Sequence, residues 1–144
     1  MGGWACLVIY GEYTEELSGW EANVTNNRME LRAVIEGFKH ILREYDRPMR
    51  VVVISDSNYV VKAMQEQWPV KWDYRNWRTA SGELVKNRDL WEELQEITAP
   101  FPVTWTHIHG HRGDELNDRA DELAVAAREM GAAIAKEVEA QNAL

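Results

Sequence analysis

The sequence predicts an α/β fold: a mixed sheet, made of an antiparallel hairpin plus parallel strands, flanked by helices. Three observations predict it. Residues 3 to 24 read as two strands around a Gly-Glu turn, and residues 28 to 45 switch to helical spacing. The run VVVISDS at 51 to 57 then places four β-branched residues together and ends on a carboxylate.

In order, GGWACLVIYG opens as a strand, turns at Gly11-Glu12 and returns from Tyr13 to Val24. Leu31, Val34, Ile35, Phe38, Ile41, Leu42 and Tyr45 share one face of a helix running from about Arg28 to Tyr45. Asn26 or Asn27 is its expected cap, and Arg47-Pro48 its end. Val51 to Ile54 describe a strand buried on both faces, with a short helix following to about Gln67. The segment QWPVKWDYRNWRTASGE holds three of the seven tryptophans, interleaved with Lys71, Arg75 and Arg78. A helix from about Lys86 to Thr98 carries Leu90, Trp91, Leu94 and Ile97 at helical spacing. A last strand, VTWTHIH, precedes the Gly-flanked turn GHRGDELN and a final helix, DRADELAVAAREM.

At 144 residues the chain has the size of one domain, placed at 1–130, with an Ala- and Glu-rich helical or frayed tail at 131–144. A lone cysteine, Cys6, excludes an internal disulfide and reads as a buried thiol in a reducing compartment. No apolar run reaches bilayer length and no signal-peptide pattern opens the chain. The expectation is therefore a soluble, cytoplasmic protein without membrane contact. A net charge of −8 argues against coating nucleic acid by bulk attraction. Between Lys62 and Arg88, however, six basic residues face three acidic ones, so a polyanion is expected to meet the protein there.

Three carboxylates hold positions that matter: Asp56 after the central strand, Glu30 early in the first long helix, and Asp121 early in the last. In open α/β sheets, ligands collect at the carboxyl ends of strands. Each residue also has a plainer reading. Ser55, Asp56 or Ser57 caps the next helix, Glu30 completes a capping box with Asn27, and Asp121 complements a helix dipole. Brought together by a crossover connection, the three could surround a hard cation. Magnesium suits them, since no Cys/His set with zinc spacing exists. His111, in a glycine-flanked loop, could exchange protons near neutral pH or be an ordinary surface histidine. His107 and His109, alternating in the preceding strand, read as structural.

These motifs resemble type 1 ribonuclease H. TNNRMEL at 25 to 31, ISDSNYV at 54 to 60, WRTASGELVKNRDLW at 77 to 91 and HGHRGDELNDRADELA at 109 to 124 carry the likeness, which covers nearly all of residues 2 to 130. The resemblance implies a magnesium-dependent endonuclease that cleaves the RNA strand of RNA/DNA hybrids and leaves 5′-phosphates. Manganese is the alternative ion. Glu30, Asp56 and Asp121 would be metal ligands, and His111 a mobile group helping the product leave. Asn26, Asn27 and Asn58 match positions that contact the hybrid's minor groove, and Thr25 one that grips a DNA phosphate. The stretch holding Trp68, Lys71, Trp72, Arg75, Trp77 and Arg78 resembles the family's basic protrusion, which holds the DNA strand. Two metals about 4 Å apart would activate water and stabilise the leaving oxygen.

In the family, a strand ending in a metal-bridging aspartate precedes the hairpin and lies mid-sheet; here Met1 directly precedes Gly2-Gly3-Trp4. The mixed sheet is therefore expected to lack its first, central strand unless that strand is supplied elsewhere. A trimmed or internally started chain, a strand from another polypeptide, and a rearranged, non-catalytic domain all remain open. The chain alone is expected to be weakly active or inactive, and a module that binds hybrid or duplex without cleaving it is the alternative function.

Overall fold

The computed structural model describes residues 1–45, 47–109 and 114–143. Its elements run β1 (Gly2–Tyr10), β2 (Tyr13–Glu21), α1 (Asn26–Glu44), β3 (Val51–Ser55), α2 (Asn58–Gln65), α3 (Trp68–Tyr74), α4 (Arg88–Thr98), β4 (Val103–His107) and α5 (Glu115–Asn142). Among the described residues no helix is long and apolar enough to cross a membrane.

Strands β1 and β2 pair antiparallel from Gly2 opposite Glu21 to Tyr10 opposite Tyr13. Gly11, at φ 58°, opens the two-residue loop between them, where a side chain would be strained. Strands β3 and β4 pair in parallel, Val51 opposite Val103 through Ser55 opposite His107, which demands the crossover supplied by α2, α3 and α4. Among the described residues the two pairs form two separate sheets.

The core lies between helices. Leu31 and Ile35 of α1, Val60 and Ala63 of α2, and Leu90, Trp91 and Leu94 of α4 form one buried cluster with Trp77. The hairpin is sandwiched. A Cβ on Gly37 of α1 would stand 2.8 Å from Cys6 Sγ, and a Cβ on Gly3 would stand 2.0 Å from the Ala124 carbonyl of α5. Arg32 pairs with Glu21 at 3.2 Å and Lys39 with Glu93 at 2.9 Å, tying α1 to β2 and to α4.

Several sequence expectations are corrected. The α1 cap is Thr25, whose Oγ1 accepts from Arg28 N at 3.3 Å, rather than Asn26 or Asn27. Strand β3 is not buried on both faces, for Val52 and Ile54 are 55% and 60% exposed. No described helix covers the face that carries them. Only the first part of the tryptophan segment is helical, as α3, while the tail expected to be helical or frayed continues α5 to Asn142. Good helix formers carry it through Gly131, where a Cβ would come within 2.4 Å of the Trp20 ring, so only glycine lets the helix approach the hairpin so closely.

Trp77, in the segment expected to hold the DNA strand, is 2% exposed and belongs to the core. Its φ of 58° is uncommon for a bulky residue, and the burial of its ring offsets that strain. Trp77→Ala should destabilise the protein by roughly 3–5 kcal/mol, measured by denaturant unfolding, because it empties a packed position.

Candidate active site

Asp56 is the first residue beyond β3, and its backbone is fixed on two sides. His107 Nε2 lies 3.1 Å from the Asp56 carbonyl oxygen, and Ile108 N donates to Ser55 O at 3.0 Å. The cap of α2 is Ser57, whose Oγ accepts from Val60 N at 3.4 Å, while Ser55 Oγ accepts from Ser57 N at 3.0 Å. The Asp56 carboxylate is thus not needed for capping and projects exposed from the strand end.

The plainer readings of the other two acids fail on the same grounds. With Thr25 as cap, Glu30 is the fifth helical residue, beyond the reach of a capping box, and the first turn of α1 carries no acid. Asp114 caps α5 through Asn117 N at 3.1 Å; Glu115 and Asp118 occupy its first turn, and Asp121 falls in the second.

Glu30, Asp56 and Asp121 lie near enough to repel one another. Burial, then Asp56, then Asp121 push the Glu30 carboxyl up to about 7 from an ordinary 4.5. Burial, then Asp56, then Asp118 raise Asp121. No described side chain donates a hydrogen bond or contributes an ion pair to these three carboxylates. Three acids, on α1, just after β3 and on α5, therefore share one rim with no compensating cation among the described residues.

Their oxygens are hard donors suited to a divalent ion that keeps much of its own water. They do not make a closed shell: among the described residues no group of three or more His, Cys, Asp or Glu converges tightly enough to hold an ion by itself.

Thr25, Asn26 and Asn27 at the start of α1 and Asn58 at the start of α2 are all exposed, on the same helix ends that carry Glu30 and follow Asp56. Trp68 and Trp72 are half-buried, with ring centroids 6.1 Å apart, and Trp72 lies 5.9 Å from Trp77 and 5.3 Å from Trp91. Lys71, Arg75 and Arg78 stand exposed around this aromatic wall, with the Arg88 guanidinium 5.2 Å from the Trp77 ring. His111 lies outside the described residues. Sequence reasoning missed Asp118, which adds charge beside Asp121; its i−3 spacing on a helix was the available signal.

The RNase H family model matches residues 1–129. Ribonuclease H of Caldanaerobacter subterraneus subsp. tengcongensis is 44% identical over 123 residues, covering 85% of this chain and 78% of that protein. Ribonuclease HI of Neisseria meningitidis serogroup B is 47% identical over 123 residues, covering 85% and 81%. Among solved structures, LC9-RNase H1, a type 1 RNase H with the type 2 active-site motif, superposes with a TM-score of 0.70 at 35% identity. That match covers 81% of this chain and 54% of that one. A match through almost the whole described fold, with the carboxylate rim at its centre, means that this chain belongs to the RNase H family.

Proposed function

We propose that the chain is an endonuclease that hydrolyses the RNA strand of RNA/DNA hybrids at the rim formed by Glu30, Asp56 and Asp121. The observation that carries this reading is that Glu30 and Asp121 are both raised, first by burial and then by Asp56, with no described cation to balance them. Magnesium is the ion these oxygens favour, with manganese as a substitute. Bound there, divalent ions supply an activated water and stabilisation of the leaving 3′ oxygen, which yields a 5′-phosphate product.

The chain's own residues orient the hybrid. The side-chain amides of Asn26, Asn27 and Asn58 can donate to and accept from 2′-hydroxyls, the groups that distinguish an RNA strand. Thr25 Oγ1 already accepts the cap hydrogen bond, which leaves its hydroxyl proton to donate to a phosphate of the DNA strand. Lys71, Arg75 and Arg78 add phosphate contacts, with Trp68 and Trp72 supporting them from behind. His111, which precedes α5 in the sequence, would serve product departure. A cytoplasmic setting suits Cys6, whose thiol burial pushes up to about 11 and so keeps unreactive.

The test is cleavage of an end-labelled RNA/DNA hybrid with magnesium, beside RNA/RNA and DNA/DNA duplexes. The RNA strand of the hybrid should be cut, weakly by the chain alone, and the two homoduplexes spared. Binding of the hybrid with no cutting in magnesium or manganese would contradict the reading.

A further inference from the structure

Asn87 begins α4 without capping it through its side chain. Its backbone is left-handed, at φ 61° and ψ 29°, and its amide makes no hydrogen bond to the first turn of its own helix, whereas Thr25, Ser57 and Asp114 each cap with a side-chain oxygen. Asparagine is among the best capping residues and among the few that tolerate this conformation, so its amide is diverted to another use. Its Oδ1 accepts from Arg28 Nη1 at 3.5 Å, and its Nδ2 donates to Tyr59 Oη at 3.4 Å. One side chain of α4 thus joins the starts of α1 and α2.

Both ends of that bridge are held. Arg28 donates to the two carboxylate oxygens of Asp89 at 2.9 and 2.7 Å, and its Nε lies 3.4 Å from Glu21 of β2. Tyr59 Oη also accepts from Trp91 Nε1 at 3.1 Å, the two rings meet edge to face at 5.3 Å, and Trp91 is fully buried. Arg28 directly follows Asn26 and Asn27, and Tyr59 directly follows Asn58. The amides that would read 2′-hydroxyls therefore flank the two ends of the bridge. Hydroxyls recur along an RNA strand at intervals the nucleic acid fixes, so amides on two different helices reach them together only if held to within about 0.5 Å.

We propose that Tyr59 is a positioning residue: its hydroxyl, acting through Asn87 and Arg28, fixes the separation between the amides of Asn27 and Asn58 and so sets the preference for an RNA/DNA hybrid over a DNA duplex. The inference rests on the hybrid reading given above, and it assigns Tyr59 no contact with the substrate. The hydroxyl rather than the ring carries the effect, because the ring packs on Trp91 whether or not the oxygen is there, while only the oxygen reaches Asn87.

The experiment titrates the full chain with a labelled RNA/DNA hybrid and with a DNA duplex of the same sequence, in chelator so that the hybrid stays uncut. Tyr59→Phe should weaken hybrid binding about fivefold, as expected for loss of one hydrogen-bonded tie, and should change DNA duplex binding by less than about twofold. Asn58→Ala should cost at most about half as many fold in the Tyr59→Phe background as in the parent, because an amide already misplaced has less to lose. Asn87→Gly keeps the left-handed backbone and the Tyr59–Trp91 hydrogen bond, and should lower the same preference; should Tyr59→Phe fail to fold, the readings on Asn87→Gly decide. Equal weakening on hybrid and DNA duplex would overturn the proposal, since general loosening then explains the loss. Independent, multiplying losses for Tyr59→Phe and Asn58→Ala would overturn it too, as would a parent with no preference for the hybrid. Cleavage is scored in a separate assay. Preference and coupling without cutting leave this positioning role standing and sink the nuclease reading, and cutting with independent losses does the reverse.

Discussion

Asp56→Asn is expected to lower cleavage of the RNA strand by at least about a hundredfold while leaving the fold intact. The Asp56 carboxylate accepts no hydrogen bond from a described residue, so an amide of the same shape loses nothing structurally. What it would lose is a charged oxygen at the centre of the rim, where it would help position divalent ions. The same substitution removes a repulsive neighbour from both other acids. The Glu30 carboxyl should therefore titrate below about 7 and Asp121 should fall as well, observable by NMR of the side-chain carboxyl carbons. Cleavage by Asp56→Asn at the parent rate would remove Asp56 from the mechanism. An unchanged Glu30 titration would show that the acids do not share a site.

The second large effect concerns stability without metal. Glu30 has a folded-state value raised to about 7 from 4.5, so the folded protein binds the proton more tightly than the unfolded chain. The sign follows: the Glu30 contribution is fully present below about pH 4.5 and is lost as pH rises through about 7. The loss amounts to roughly 3 kcal/mol as an upper figure, since each tenfold difference in proton affinity between the folded and unfolded chain corresponds to about 1.4 kcal/mol. Glu30→Gln carries no such charge. In chelator it should be more stable than the parent at pH 8, should lack this pH-dependent loss, and should be inactive on hybrids. Saturating magnesium should narrow the gap by stabilising the parent through linkage. Urea unfolding at pH 5 and pH 8, with chelator and with magnesium, checks all of these.

Much of this architecture is legible in the residues, and the departures have physical causes. The hairpin is announced by Gly11 between apolar stretches, and the core face of α1 by Leu31, Ile35 and Phe38 at helical spacing. Periodicity survives because burial on one face dictates it. The caps were harder: Thr25, Asn26 and Asn27 are three consecutive competent residues, and only backbone geometry selects Thr25. Trp77 lies in a stretch that resembles a strand-holding protrusion, yet its ring is drawn into a cluster with Trp91 and Leu90 from a distant helix, a contact that sequence spacing does not reveal. Val52 and Ile54 read as doubly buried because a β-branched run gives no sign of whether a layer lies above it.

For the site, sequence could nominate Glu30, Asp56 and Asp121 but not decide between capping and chemistry. The structure frees all three by assigning the caps elsewhere, to Thr25, Ser57 and Asp114.

The central claim is that acids from α1, β3 and α5 bind divalent ions at one rim, and manganese titration followed by amide NMR tests it most directly. At low manganese, paramagnetic broadening should appear first and together at Glu30, Asp56 and Asp121, and Asp56→Asn should weaken it at all three. Broadening that begins elsewhere, or that reaches Asp121 without Glu30 and Asp56, would contradict the account.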